Sequence, residues 1–513
     1  MKKSCLFFVI FGFLVFLLAG VSYGWQGRMA GMGDPYGLVQ DESDFLIHPA
    51  KIANGKGINF YGGYRFNYTD VMKWNYTSTE FTPAGAFFWI WPYRGSGDEW
   101  KHNGLIGAAF PMGPGRMGLF FEYEGKRGDY DGDEDERSIA TSWYHTYKLE
   151  SDFDTFALRL LYGIPMGNFK LGGELQLAYR REKDETFINE DILTAGRLLH
   201  TNYPLGGSVP WVNLFPFMIP YDSKYWEVLL KGSLEGMIGP AKIALTMRGG
   251  FIFSGDNKYR AMDFQIPPGV ITNSIDMDGD VKGWRMGGDF WLRYPLAENL
   301  SLPFLLKIEY QKKTRDGEGY GNAFGIFGDT EYKNRESVFQ VEVGGGVDKE
   351  LVKGTRIAAG IYYNYAQNKN NFVGKGNNGV NWIEADYSNY PDHQEHRVIL
   401  KLSGEKEISP MVALRMGLNF FYGWVKEDFE YNRMLAINNT SLDGYHWGIG
   451  ASLGGTVKFQ RFSVEPFIGG GYQNMKLKGD GDISVYGPLG SVLEGDKTRK
   501  EWSIGGGFSI KFN

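Results

Sequence analysis

The sequence predicts an all-β protein: a transmembrane antiparallel β-barrel of about 16 strands (14–18), with an N-terminal plug and long extracellular loops. Three observations predict it. The stretch Glu501 to Phe512 (EWSIGGGFSIKF) alternates apolar with small or polar residues and ends one residue before the C-terminus. The N-terminus reads as an export signal. Between these ends, the same paragraph recurs: an alternating strand, a tight turn, a returning strand, then a long polar loop rich in Gly, Asp, Asn and Lys.

The export signal spans residues 1–24. Met1-Lys2-Lys3 is a basic start, Leu6 to Ala19 is apolar, and small residues follow. That apolar run is shorter than the roughly 20 residues a membrane helix needs. Cys5 is the one cysteine in the chain. Its removal with the signal excludes disulfides, cysteine-ligated zinc, iron–sulfur clusters and c-type haem attachment.

Residues 25–56 form a segment before the first strand, and the barrel follows over 57–513. Tight turns at PMGPGR (111–116), PMGN (165–168), GPAK (239–242), LAEN (296–299), LVKG (351–354), ISP (408–410) and FQR (459–461) are assigned to the periplasmic side. Long loops near 70–101, 127–152, 184–221, 255–281, 314–335, 368–392, 426–443 and 477–498 are assigned to the outside. Sixteen strands result, about 57–69, 102–111, 116–127, 153–164, 168–182, 222–238, 241–254, 282–295, 299–313, 336–349, 354–367, 393–406, 411–425, 444–458, 460–476 and 499–512. The apolar stretch Ala84 to Tyr93 is open as strand, loop or lid. In the closing strand Trp502, Ile504, Phe508, Ile510 and Phe512 point one way, while Glu501, Ser503, Ser509 and Lys511 point the other.

A charge facing lipid at mid-membrane costs roughly 2–4 kcal/mol, so the apolar parity of each strand is its lipid face. The opposite parity places Arg159, Glu174, Arg180, Lys231, Arg248, Arg285, Asp289, Arg293, Lys307, Glu309, Arg356, Arg397, Lys401 and Arg415 in the lumen. Two readings of such a lumen stand: charges that pair across strands to satisfy a polar interior, or a basic ladder that selects anions. The net charge of the chain is −6, and −8 once Lys2 and Lys3 are gone, which argues against a nucleic-acid partner.

Asp129, Asp131 and Asp133, and again Asp276, Asp278 and Asp280, are spaced by two around a glycine, as at the start of calcium loops. A solvated acidic loop, bridged to lipopolysaccharide by divalent ions, is the favoured reading, and no metal or other cofactor is assigned. His393 and His396 are three apart, which on a strand puts them on opposite faces. There is no G-x-S-x-G elbow and no H-E-x-x-H helix, and no enzymatic activity is expected.

Residues 28–53, RMAGMGDPYGLVQDESDFLIHPAKIA, resemble the mature N-terminal segment of the long-chain fatty acid transporter family. The resemblance rests on Gly31-Met32-Gly33, Asp41-Glu42 and Pro49-Ala50. His48 stands where the family has Asn and Lys51 where it has Gly. The resemblance implies a hatch folded into the periplasmic mouth, built here from Gly31, Met32, Gly33, Asp41, His48, Pro49 and Ala50. It also implies uptake of hydrophobic molecules and their sideways release through a kinked strand. Apolar runs at 86–91 and 209–219 offer loop surface for a pocket.

The leading expectation is a porin-like channel in the outer membrane of a Gram-negative-type bacterium, passing small polar or anionic solutes through a charged lumen. One alternative is hydrophobic uptake in the manner of the fatty acid transporters. Another is a structural barrel serving a secretion or electron-transfer partner. Expected partners are outer-membrane lipid and lipopolysaccharide, the barrel-assembly machinery and a small solute.

Overall fold

A computed structural model describes residues 27–33, 37–39, 41–81, 88–137, 141–194, 197–203, 221–261, 275–323, 326–377, 382–387, 392–433, 436–485 and 490–512. The proposed export signal, residues 84–87 and the apolar run 209–219 lie outside the described residues.

The chain begins with a one-turn helix, α1 (Gly27–Gly31), and two 3-10 turns, Glu42–Leu46 and Pro49–Asn54. The strands follow: β1 (Asn59–Phe81), β2 (Phe88–Met112), β3 (Gly115–Arg137), β4 (Thr141–Met166), β5 (Phe169–Thr194), β6 (Arg197–Tyr203), β7 (Tyr221–Ile238), β8 (Ala241–Ala261), β9 (Ile275–Ala297), β10 (Leu300–Ala323), β11 (Ile326–Val352), β12 (Thr355–Asn377), β13 (Trp382–Tyr387), β14 (Asp392–Ser409), β15 (Val412–Arg433), β16 (Ala436–Lys458), β17 (Phe462–Val485) and β18 (Gly490–Phe512). Short β6 and β13 pair only near the outer ends of their neighbours. The other sixteen close a barrel in which every neighbouring pair is antiparallel, and β1 seals against β18 with Phe60 opposite Phe512.

The wall follows from the alternation. On β15, Leu414, Met416, Leu418, Phe420, Tyr422 and Trp424 are exposed on one face, while Ala413, Arg415 and Val425 are buried on the other. The closing strand behaves alike: Trp502, Ile504, Phe508 and Phe512 face out, and Glu501 and Ser509 are buried. Exposed apolar side chains on a closed barrel need lipid around them.

The outer edge of that apolar band is marked by aromatic pairs that run across strand boundaries. Tyr68 meets Trp100, Tyr123 meets Phe156, Tyr179 meets Trp226, and Trp284 meets Tyr310. Phe339 meets Tyr365, Tyr422 meets Tyr445, and Tyr472 meets both Trp447 and Trp502. Such a belt sits at the membrane–water interface. The chain is therefore an outer-membrane β-barrel.

At the other end six of the reversals are two-residue turns and the one between β16 and β17 has three residues; Gly113, Gly167, Gly239 and Gly354 sit at positive φ. A side chain would be strained there, which is why these four turn motifs carry glycine.

The strands are longer than the alternation suggests. β5 continues to Thr194, where the sequence reading ends a strand at 182, and much of the expected loop 127–152 is strand in β3 and β4. Above the belt both faces meet water, so the apolar–polar alternation stops while the backbone ladder continues. Phe88 to Tyr93, left open by the sequence, belong to β2.

Candidate functional site: the plugged lumen

Residues before β1 fold back into the barrel at its short-turn end. The 3-10 turn Pro49–Asn54 lies against β4, β5 and β7, and α1 lies against β15, β16 and β17. Two apolar clusters hold the segment. Phe45, Leu46 and Ile52 pack on Tyr61, Leu105, Ala109, Phe120 and Leu161. Met32, Leu38 and Val39 pack on Leu305, Ala358 and Tyr362, with Ile399 alongside. These wall residues point inward, so the lumen is apolar at these two clusters.

Wall glycines let the plug come this close. A Cβ on Gly172 would lie 2.1 Å from the Ala50 nitrogen, and one on Gly417 would lie 2.2 Å from the Gly33 nitrogen. Both contacts are to backbone, which cannot swing aside. Gly33 itself sits at φ +76°, a conformation glycine adopts without strain.

Polar anchors complete the seat. Trp291 Nε1 donates to the Gly37 carbonyl at 3.0 Å, and Ser403 Oγ donates to the Met32 carbonyl at 2.8 Å. The Ala50 nitrogen donates to Ser233 Oγ at 2.6 Å. Arg28 reaches both oxygens of Glu405 at 2.8 Å and Asp41 at 3.3 Å. Lys51 pairs with Asp44 at 2.7 Å and stands 5.0 Å over the Trp291 ring. His48 is buried with Nδ1 2.6 Å from Thr246 Oγ1. Burial, helped by Lys51, Arg248 and Lys231, pushes its pKa well below the usual value, so the ring is neutral.

The residues assigned to the plug fall at two places, the Gly31–Gly33 turn beside β15, β16 and β17 and Pro49 and Ala50 beside β4, β5 and β7. Met32, His48, Pro49 and Ala50 are buried, Asp41 holds Arg28, and Gly31 and Gly33 end the helical turn.

The assigned lumen residues are ion-paired. Arg159 joins Glu174 at 2.8 Å and Glu122 at 3.1 Å, and it donates to the Leu46 carbonyl of the plug at 2.6 Å. Lys231 shares Glu174 at 3.1 Å. Arg180 and Arg285 share Glu227 at 3.0 and 2.6 Å. Arg248 lies 2.6 Å from Asp289 and 3.5 Å from Glu309, which also takes Lys307 at 3.5 Å. Arg293 and Arg356 converge on Asp348. Arg397 pairs with Glu395 at 3.3 Å, Lys401 with Glu342 at 3.9 Å, and Arg415 with Glu405 at 2.6 Å. Between the two sequence readings of the charges, this arrangement is the paired one.

Sequence reasoning missed a further cluster above the belt. Glu182 on β5 meets Lys313 and Arg315 on β10, and both cations also meet Glu336 on β11. A second cluster joins Glu427 on β15 to Lys497 on β18 at 2.7 Å and to His393 on β14 at 3.4 Å. Arg315 and Lys497 fell in stretches read as loops, so no strand parity was assigned to them.

One expectation is corrected. Asp129, Asp131, Asp133, Asp276, Asp278 and Asp280 stand on β3 and β9, not on loops. Among the described residues no group of three or more His, Cys, Asp or Glu could hold a metal; Asp278 and Asp280 pair with Lys258 and Lys282 instead. Register breaks within the wall include one on β1 between Val71 and Trp74 and one on β8 between Ile252 and Asp256.

No family model matches the chain, and no curated protein matches it. Among solved structures it is similar to a Pseudomonas aeruginosa FadL homologue, at 12% identity over 96% of this chain and 98% of that one, TM-score 0.40. It is also similar to the P. putida toluene transporter TodX (13%, 96% and 98%, TM-score 0.33) and the Ralstonia pickettii toluene transporter TbuX (10%, 96% and 99%, TM-score 0.32). At these identities and scores the likeness adds no argument to the one the barrel supplies. What stands is a closed sixteen-strand outer-membrane barrel with its N-terminal segment lodged in the lumen.

Proposed function

We propose that the protein is an outer-membrane transporter that admits small hydrophobic compounds, rather than an open pore for polar or anionic solutes. The observation that carries this reading is the apolar seam between plug and wall, Phe45, Leu46 and Ile52 against Tyr61, Leu105, Phe120 and Leu161. An apolar compound gains by entering such surface, and a hydrated ion loses. The anion-selective alternative needs cations free to meet a solute, whereas the assigned basic residues already have carboxylate partners. The resemblance of residues 28–53 to the fatty acid transporter hatch supports the same reading.

The test is twofold. The pure protein in planar bilayers is expected to give no steady ion current, and cells expressing it are expected to take up toluene or a long-chain fatty acid faster than cells lacking it. A steady anion-selective current without such uptake overturns the proposal. Absence of both, with a protein co-purifying in fixed ratio, would favour the structural barrel.

A further inference from the structure

We propose that the lipid-facing side of the closing seam, β17–β18–β1, carries a binding site for the phosphate groups of an outer-leaflet glycolipid, the lipid A part of lipopolysaccharide. Lys500 lies two residues beyond Trp502 on β18, and Lys476 lies four beyond Tyr472 on β17, both in the outward parity of those belt residues. At about 3.3 Å per residue and a tilt of roughly 40°, this puts their backbones about 5–10 Å above the belt, at headgroup height.

The neighbours argue that an anion is expected there. A bulge between Val71 and Lys73 shifts the β1–β18 register by one and brings Lys73 directly opposite Lys500. Lys476 is registered between Tyr445 and Thr498, and Lys500 has Asn474 on its other side. Among the described residues no carboxylate pairs with Lys476 or Lys500; Asp70, opposite Trp502, makes no ion pair with either. At this height on other strands Arg127 is matched by Asp152 and Asp154, and Arg181 and Lys224 are matched by Asp222. The seam places two ammonium groups, with no carboxylate partner among the described residues, just above the packed rings of Tyr472 and Trp502. A phosphorylated sugar headgroup, with acyl chains running down beside those rings, meets both features.

The experiment measures binding of purified diphosphoryl lipid A to the full-length protein in detergent, by native mass spectrometry. The double variant Lys476→Ala, Lys500→Ala is expected to bind about tenfold more weakly, Lys224→Ala to bind as wild type does, and dephosphorylated lipid A to bind wild type poorly. Equal binding by wild type and the double variant overturns the proposal. So does phosphatidylglycerol binding as tightly as lipid A, which would mean a surface for any anionic lipid. All three lysines are outside the plug and lumen, so loss of this site leaves uptake of hydrophobic compounds measurable on its own.

Discussion

Arg315 on β10 donates to Glu182 on β5 across three intervening barrel strands, β7, β8 and β9. Lys313 reaches the same carboxylate at 2.8 Å, Tyr225 donates to its other oxygen, and Arg315 also donates to Ser223 at 3.1 Å. A chord of this kind crosses the lumen and narrows it just above the aromatic belt. Although burial alone would raise the Glu182 pKa, Lys313 and Arg315 hold it far below the usual carboxylate range.

Removing the shared acceptor should therefore open the chord. Glu182→Ala leaves two buried cations still sharing Glu336 but without this carboxylate. Breaking one side of a buried pair costs roughly 3–5 kcal/mol. The expected outcome is a lower unfolding temperature and brief current steps in planar bilayers that the wild type lacks. Unchanged stability and silent bilayers would mean that the chord is not closed in the membrane.

The His393 cluster makes the outer wall sensitive to pH. Burial works against the charge on His393, but hydrogen bonds to Glu395 and Glu427 raise its pKa to about 9. Its stabilising contribution is thus full below about 6.5, the unfolded value, and is lost as pH rises through about 9. Glu427 is held down to about 2, with burial opposing and Lys497 and His393 outweighing it. Its contribution is present above about 4.5 and fades as pH falls toward 2. Hydrogen exchange of β14 and β15 should be slowest between about pH 4.5 and 6.5, and His393→Gln should flatten the alkaline rise. An alkaline slope in the variant as steep as in wild type would assign it to other groups.

The plug's seat can be tested with a single methyl group. Gly172→Ala places a carbon against the Ala50 backbone, and Gly417→Ala does so against Met32 and Gly33. Each should displace the plug while leaving the wall ladder intact, since strand residues tolerate alanine. Faster proteolysis within residues 27–56, with the unfolding transition of the barrel retained, is the expected result. Gly232, with open space at its Cβ, serves as the control.

These elements were unequally legible in the sequence. All sixteen membrane-crossing segments could be read, because lipid outside and charge inside impose a strict period of two. Arg159, Arg248 and Arg415 could be placed in the lumen for the same reason. Their partners could not, because pairing depends on shear: Arg28 meets Glu405 from 377 positions away. Arg315 and Glu427 were hidden differently, since both faces of a strand above the membrane are polar and parity carries no signal there. The roles of Gly172 and Gly417 were equally hidden, since a glycine that admits a plug reads like any other barrel glycine.

Arg159 offers the sharpest test of how plug and wall depend on each other. Its guanidinium joins Glu122 and Glu174 of the wall and donates to the Leu46 carbonyl of the plug. Arg159→Met keeps much of the volume but takes this cation from Glu122 and leaves Glu174 with Lys231, and an unpaired buried charge costs roughly 3–5 kcal/mol. Adding Glu174→Gln removes one of the two carboxylates that Arg159 served and should recover part of the loss, leaving the plug carbonyl short of a donor, worth about 1 kcal/mol. Lys231, at 3.2 Å from the same carbonyl, limits that remainder. Thermal unfolding of the two single variants and the double in one detergent gives the coupling energy. A coupling near zero would show that Glu174 is neutralised by Lys231 alone and that Arg159 acts on the plug independently.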